Sequence, residues 1–481
     1  MEFMVTRRET GAVKEKPFLS FTFSRGIPVR QSIVYVAGNA SGLNFKSSSA
    51  MEPHILGEGR YWLCEDPIVM RSEPLHPPVD EFVPMLWVGD NSADWSTLGK
   101  KYFASIRERL TLDAALREQA RRLTENLKTD DDKIAVLARH VQTNYLYKGL
   151  EFGRRGRMPE LPEEMARNKF GDCKDHSVML QQMLEASGIP ARLALVNTAA
   201  AVQKELPSLE QFNHMIVYVP GRGTDAFIDC TQKGALPGKG PPYRLAKREA
   251  FILGKDDPRF ERIPDSAAVA SSLASTRQAR LLDGGDVSVE EHLSVSGMLG
   301  ASLREQLTEM ADTLRRRFLQ AHLKDGQAEL ESWSIDDLDN PAVPLRLKLV
   351  YKVRNQFHKV DGRWLGVVPA LLERCYLTYD QVDRRLAPFQ MRYPIEFTSK
   401  VTLMGPEGWQ PQPGENTDQR IDEPFLSARC HEETNGAELR VEFTCRQKAG
   451  NFTADQYSAF RESVSRALAL VGRSAAFKEK K

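Results

Sequence analysis

The sequence predicts a multidomain α+β protein, with a mixed central segment and mostly β regions before and after it. Three observations carry this reading. The chain has 481 residues, which at roughly 100–200 residues per domain makes two to four domains. Its apolar residues alternate near both ends but change to helical spacing from Trp95 onward. A Ser/Ala-rich stretch, with DSAAVASSLAST inside it, reads as a linker at 263–283. The expected organisation is a β-rich N-terminal domain at 1–95, a core at 96–262, that linker, and a mostly β region with two helices at 284–481.

Near the N-terminus, 18–23 (FLSFTF) and 32–36 (SIVYV) have strand composition, with Gly and Pro between them. Two or three strands do not make a stable domain. This region is therefore expected to complete a sheet supplied elsewhere, or to belong to a domain whose beginning is missing. From 95 to 146 the signals are helical. They are clearest after Thr129, a capping residue followed by Ile134, Leu137, Val141 and Tyr145 at helical spacing. Beyond the linker, Val287, Val289, Leu293 and Val295 alternate as a strand, and Leu299, Leu303, Leu307, Met310, Leu314 and Phe318 share one helix face. Leu345–Val353 and Leu439–Cys445 alternate as strands, the second just after an Asn435-Gly436 hairpin signal. Thr453 caps a last helix faced by Tyr457, Phe460, Val464, Leu468 and Val471.

Composition excludes several function classes. With 66 Lys+Arg against 65 Asp+Glu, no net charge draws the chain to nucleic acid or an anionic membrane. No apolar run approaches the 18 residues of a spanning helix. The start, MEFMVTRRETGAVKEKPFL, lacks the apolar core of a secretory signal. As written, the chain reads as cytoplasmic; it reads as periplasmic or extracellular if the natural N-terminus is missing. Cys64, Cys173, Cys230, Cys375, Cys430 and Cys445 form no CxxC pair, and no HExxH occurs. Neither a disulfide framework nor a metal site is expected. No GxGxxG or Walker-type motif is present, and no cofactor is required.

The chemistry concentrates in KFGDCKDHSVML, residues 169–180. Gly171 allows a sharp turn, Asp172 is a good N-cap, and Met179, Leu180, Met183 and Leu184 give a buried helix face that Gly188-Ile189-Pro190 ends. Cys173 therefore falls in the first helical turn, where free N–H groups and the dipole favour a thiolate and could hold an oxyanion. Asp172 and Asp175 place negative charge nearby, so the thiolate needs a cationic partner. Residues 191–196, 215–219 and 226–230 read as strands, with His214 opening the second and Asp229 ending the third. If those two strands pair as a hairpin, His214 and Asp229 meet at one end. The imidazole can then face the thiol on one side and the carboxylate on the other.

GDCKD opening a helix, FNHMIVYVP some forty residues later and FIDCT after that resemble the transglutaminase-like superfamily of papain-like cysteine folds. Tyr147 and the stretch 159–166 also resemble that core, which spans about 100–262. A weaker likeness, which includes 74–95 and 297–303, is to bacterial proteins carrying such a core between β-rich domains of unknown function. The N-terminal domain looks shortened against them, and Cys230 stands where they often have Pro.

The resemblance implies a central papain-like core flanked by mostly β domains, with Cys173 as nucleophile, His214 as base and then acid, and Asp229 as orienter. Tyr147 and Asp172 are candidates for the oxyanion region or pocket, Tyr147 equally being a core aromatic. His176, on the same helix face as Cys173, is the rival base, expected at a solvent edge or behind the site. Cys230, Cys375, Cys430 and Cys445 read as buried structural thiols, and Arg154-Arg155-Gly156-Arg157 as a solvated loop that could instead attract an acidic substrate segment. Two functions follow. One is thiol acyl transfer at a peptide or side-chain amide of a peptide or protein substrate, with water (protease or amidase) or an amine (cross-linking) as acceptor. The other is a catalytically silent binding or scaffold protein that works through its β-rich flanks.

Overall fold

The computed structural model describes residues 18–38, 40–48, 51–149, 153–265, 271–323, 328–369, 384–414 and 417–480, so Cys375 lies outside it. The N-terminal strands pair among themselves rather than completing a sheet elsewhere. Leu19–Thr22 and Leu43–Ser47 flank Met85–Asp90, and Gln31–Val36 and His54–Leu56 flank Gly59–Glu65. The two small sheets enclose Phe23, Trp62, Leu86 and Val88. The additional strands are short and partly polar, which hides their period in the sequence.

The central segment opens with three helices, Trp95–Ile106, Ala114–Thr124 and Asp130–Asn144, each started by a side-chain cap from Asp94, Asp113 or Thr129. The helix Cys173–Ala186 packs against the second and third of these. Its other side lies on an antiparallel sheet ordered Phe227–Ile228, His214–Tyr218, Arg192–Val196, Glu249–Ile252 and Arg259–Arg262. Met179, Leu180, Met183 and Leu184 are fully buried there beside Val217 and Ile228.

The expected linker is corrected: Ser271–Leu281 is a strand inside an eight-stranded sheet. It pairs antiparallel with Val287–Ser296 and parallel with Ile395–Met404. Its inward residues include Ser271, Ser275 and Arg277 beside Leu273, Ala279 and Leu281, so small and polar residues occupy core positions. Composition alone reads such a segment as flexible. The remaining strands run Leu345–Val353 and Ala328–Asp336 outward on one side, and Glu438–Gln447, Leu426–Asn435 and Asp418–Asp422 on the other.

The single helix expected over 299–318 is two helices, Gly297–Glu309 and Asp312–His322. The break at Met310 is satisfied locally, because the Arg315 guanidinium donates to the Leu307 carbonyl at 2.7 Å. With Tyr457–Val471, this makes three described helices packed on the large sheet instead of two. No described helix is long and apolar enough to cross a membrane.

Candidate active site

Cys173 is the first residue of its helix, and the turn before it is built for a close approach. A Cβ on Gly171 would sit 2.6 Å from the Cβ of Asp175, so only glycine lets the chain fold back there. The cap is reciprocal. Asp172 accepts from the Lys174 N–H at 3.0 Å, while Asp175 accepts from the Asp172 N–H at 2.9 Å and the Glu160 N–H at 2.7 Å.

Both carboxylates that would oppose a thiolate are matched by cations. Lys174 Nζ lies 2.8 Å from Asp172, and an Arg155 guanidinium nitrogen lies 3.2 Å from Asp175 and, through Nε, 3.2 Å from Glu160. Burial, reinforced by Asp172, pushes the Asp175 carboxyl above its usual range. One turn along, the Ser177 hydroxyl donates to the Met215 carbonyl at 2.9 Å. This bond pins the cysteine helix to the strand that starts at His214.

That strand pairs with Phe227–Ile228 through Val217↔Ile228 and Tyr218↔Phe227, which brings His214 and Asp229 to the same end. His214 Nε2 lies 3.0 Å from Asp229 Oδ2. Asp229 also accepts from the Thr231 N–H at 2.9 Å, the Thr231 hydroxyl at 2.7 Å and Gln232 Nε2 at 2.9 Å. Burial alone would raise the Asp229 pKa; the His214 charge and hydrogen bond, with the Thr231 donors, reverse this and hold it down at about 2. For His214, burial alone would lower the pKa. The Asp229 carboxylate, and after it the Cys173 side chain as a hydrogen-bond partner, outweigh that and carry it up to about 10. With Nε2 held by Asp229, the other ring nitrogen is the one left for Cys173.

Cys173 is only 2% exposed, but it forms part of the wall of a cavity of about 530 Å³. Tyr102, Leu195, Leu209, Phe212 and Met215 make its apolar side, and Arg157 and Glu210 its polar side. Phe212 stacks on Phe251 with ring centres 5.9 Å apart. The arginine run is thus not merely solvated: Arg155 is paired inward and Arg157 is ion-paired to Glu210 at the cavity. Tyr102, which no local signal marks, donates to the Arg157 carbonyl at 2.7 Å.

Tyr147 stands elsewhere. It is 39% exposed, its ring is near His176, and it is not among the residues lining this cavity. Asp172 is likewise outside the lining and serves as the buried cap. His176 is not at a solvent edge: it is 1% exposed, and its Nδ1 donates to the Asp172 carbonyl at 2.8 Å. Burial pushes its pKa down, which favours a neutral ring tied to backbone. Cys230, Cys430 and Cys445 are buried, and burial raises all three thiols, Cys445 to about 12. Among the described residues, no group of three or more His, Cys, Asp and Glu is placed to hold a metal ion.

Residues 117–223 match the model of the transglutaminase-like superfamily, a span that includes Cys173 and His214 and stops short of Asp229. Residues 365–470 match a domain of unknown function, DUF3858. No curated protein matches the chain. Among solved structures, the chain is similar to one described as a "putative protease" from Parabacteroides distasonis, with a TM-score of 0.57 and 15% identity over 96% of this chain and 76% of that one. A "putative cysteine protease" from Cytophaga hutchinsonii matches with a TM-score of 0.20 and 11% identity over 44% of this chain and 74% of that one. The chain therefore carries a core of the transglutaminase-like superfamily, set between β-rich flanking regions.

Proposed function

We propose that the protein is a thiol acyl-transfer enzyme acting on peptide or side-chain amides. The observation that carries this reading is the convergence of three separate elements: Cys173 and His214 share one cavity wall, and Asp229 holds His214 from behind it. The Cys173 sulfur attacks the amide carbonyl carbon, forming a C–S bond and a tetrahedral oxyanion. The Asp172 cap takes the Lys174 and Asp175 N–H groups, and the Cys173 N–H lies outside that cap as a donor to the oxyanion. The C–N bond then breaks, and the His214 imidazolium gives its proton to the departing amine. In the second half, His214 takes a proton from water or an amine, which attacks the thioester carbonyl and releases the sulfur. Asp229 holds the ring upright throughout and keeps its Nε2 proton in place.

A peptide-like electrophile followed by mass mapping tests this reading. Cys173 should be the modified residue, and Cys173→Ala should abolish both labelling and amide turnover while leaving the fold intact. Turnover assayed with and without an added primary amine then separates transfer from hydrolysis. A folded protein whose Cys173 ignores such reagents would instead support the silent scaffold.

A further inference from the structure

We propose that Gln232 is a positioning residue that fixes the Asp229 carboxylate on His214, and that Gln232 is itself held in place by the flanking β region. The proposal rests on the acyl-transfer reading of the site.

Three observations converge on the loop that follows Asp229. First, Gln232 is buried and its Nε2 donates to Asp229 Oδ2, the same oxygen that takes His214 Nε2. A second donor on that oxygen restricts the arc through which it can move, and hence the tilt of the imidazole. The amide orientation follows from chemistry, because its oxygen could not face a carboxylate.

Second, the backbone of this loop is clamped. Gln142, buried on the helix Asp130–Asn144, donates to the carbonyls of Gln232 at 2.7 Å and Ala235 at 2.9 Å. Gln142 accepts in turn from Arg139 at 2.5 Å, and Arg139 also donates to the Asp339 carbonyl, between two strands of the large sheet.

Third, the loop touches the flanking region with no space to spare. A Cβ on Gly234 would lie 1.9 Å from the Ala301 carbonyl oxygen, in the helix Gly297–Glu309. Nearby, Arg244 pairs with Glu305 of that helix at 2.6 Å, and the Tyr393 hydroxyl donates to the Tyr243 carbonyl at 2.6 Å. The triad's third member is thus tied to a region that contributes no reacting group.

The test uses the full chain and three variants, Gln232→Met, Gln142→Met and Gly234→Ala. Two site readouts are the iodoacetamide labelling rate of Cys173 at about pH 6 and the N–H signal of His214 Nε2 in histidine-labelled protein, assigned by its absence in His214→Gln. Thermal melting is recorded beside them. Gln232→Met keeps the side-chain volume and removes the donor. It should slow labelling roughly tenfold, by analogy with the low end of what the outer hydrogen-bond partners of metal-bound histidines cost, and shift or broaden the His214 signal. Gln142→Met should act in the same direction and more weakly. Gly234→Ala should move the signal even though it lies in neither the cavity nor the triad.

If Gly234→Ala does not fold, the two methionine variants decide. Wild-type rate and wild-type His214 signal in both would overturn the proposal, even with a lowered melting temperature, because a merely structural glutamine would behave that way. Slow labelling of Cys173 in the unmutated protein would count against acyl transfer alone. The His214 signal would still judge the brace.

Discussion

Two of the regions that bury an ion pair, the large sheet and the core, bury it differently. In the large sheet, Arg277 and Glu291 are both 0% exposed, 3.0 Å apart. Glu291 also accepts from Ser275 at 2.6 Å and Tyr351 at 3.1 Å, while Arg277 donates to Ser399 and the Pro369 carbonyl at 3.2 Å. None of these residues lines the cavity beside Cys173. In the core, His214 and Asp229 are also sequestered, but one imidazole nitrogen is left for a sulfur on a cavity wall. A buried charge pair is therefore not in itself a mark of chemistry. The marks are a titratable member, a nucleophile beside it and a space for substrate.

The sharpest way to break this contrast is to truncate one partner in each region. His214→Ala should cut amide turnover by about 10²–10⁴-fold, as expected for loss of a general base. Arg277→Ala should leave the Cys173 labelling rate of folded protein unchanged and cost about 3–5 kcal/mol in denaturant unfolding, because Glu291 is left buried and unpaired. Loss of labelling in folded Arg277→Ala would erase the distinction. Next in size, replacing both Arg277 and Glu291 with apolar residues of similar volume should recover most of that stability. No apolar replacement of His214 and Asp229 should recover labelling. Asp229→Ala should fall between wild type and His214→Ala in labelling, since it frees the ring without deleting the base.

The pH dependence separates the regions further. The folded pKa of His214, about 10, lies above its unfolded value near 6.5. Its contribution to stability is thus complete below about pH 6.5 and lost as pH rises through about 10. Asp229, held at about 2, contributes fully above its unfolded value near 3.9 and loses that contribution as pH falls through about 2. The Arg277 pair should show no alkaline loss in this range, because arginine does not deprotonate. Melting curves from pH 7 to 10 for wild type, His214→Gln and Arg277→Met should show a smaller alkaline decline in His214→Gln alone. The smallest effect is expected at His176. His176→Ala should change Cys173 labelling by less than about threefold, since its ring donates to the Asp172 backbone carbonyl and does not line the cavity.

The two regions also differ in how much of them was legible in the sequence. Cys173, His214 and Asp229 each sit at the end of an element with a strong local signal: a cap, the start of an apolar strand, the end of the next. Antiparallel pairing then brings His214 and Asp229 to one end, and the packing of the cysteine helix on the His214 strand brings Cys173 to them. The supporting residues carry no such signal. Ser177 reaches Met215 only because the helix lies on that strand, and Tyr102, Gln142 and Gln232 act across loops whose paths depend on the whole core. In the large sheet the failure came from chemistry rather than distance. Ser271, Ser275 and Arg277 occupy inward strand positions because Glu291 and other polar neighbours satisfy them. Composition alone describes as a linker what is a central strand.

The central claim is that His214, oriented by Asp229, activates Cys173. Its most direct test is the pH profile of iodoacetamide labelling at each cysteine, resolved by mass spectrometry, in wild type, His214→Ala and His176→Ala, with folding checked by melting. The account predicts that Cys173 reacts far faster than the other five at about pH 6, where an ordinary thiol with a pKa near 8.5 is almost wholly protonated. It also predicts that His214→Ala removes this advantage and His176→Ala keeps it. Fast labelling that survives in His214→Ala and disappears in His176→Ala would contradict the assignment.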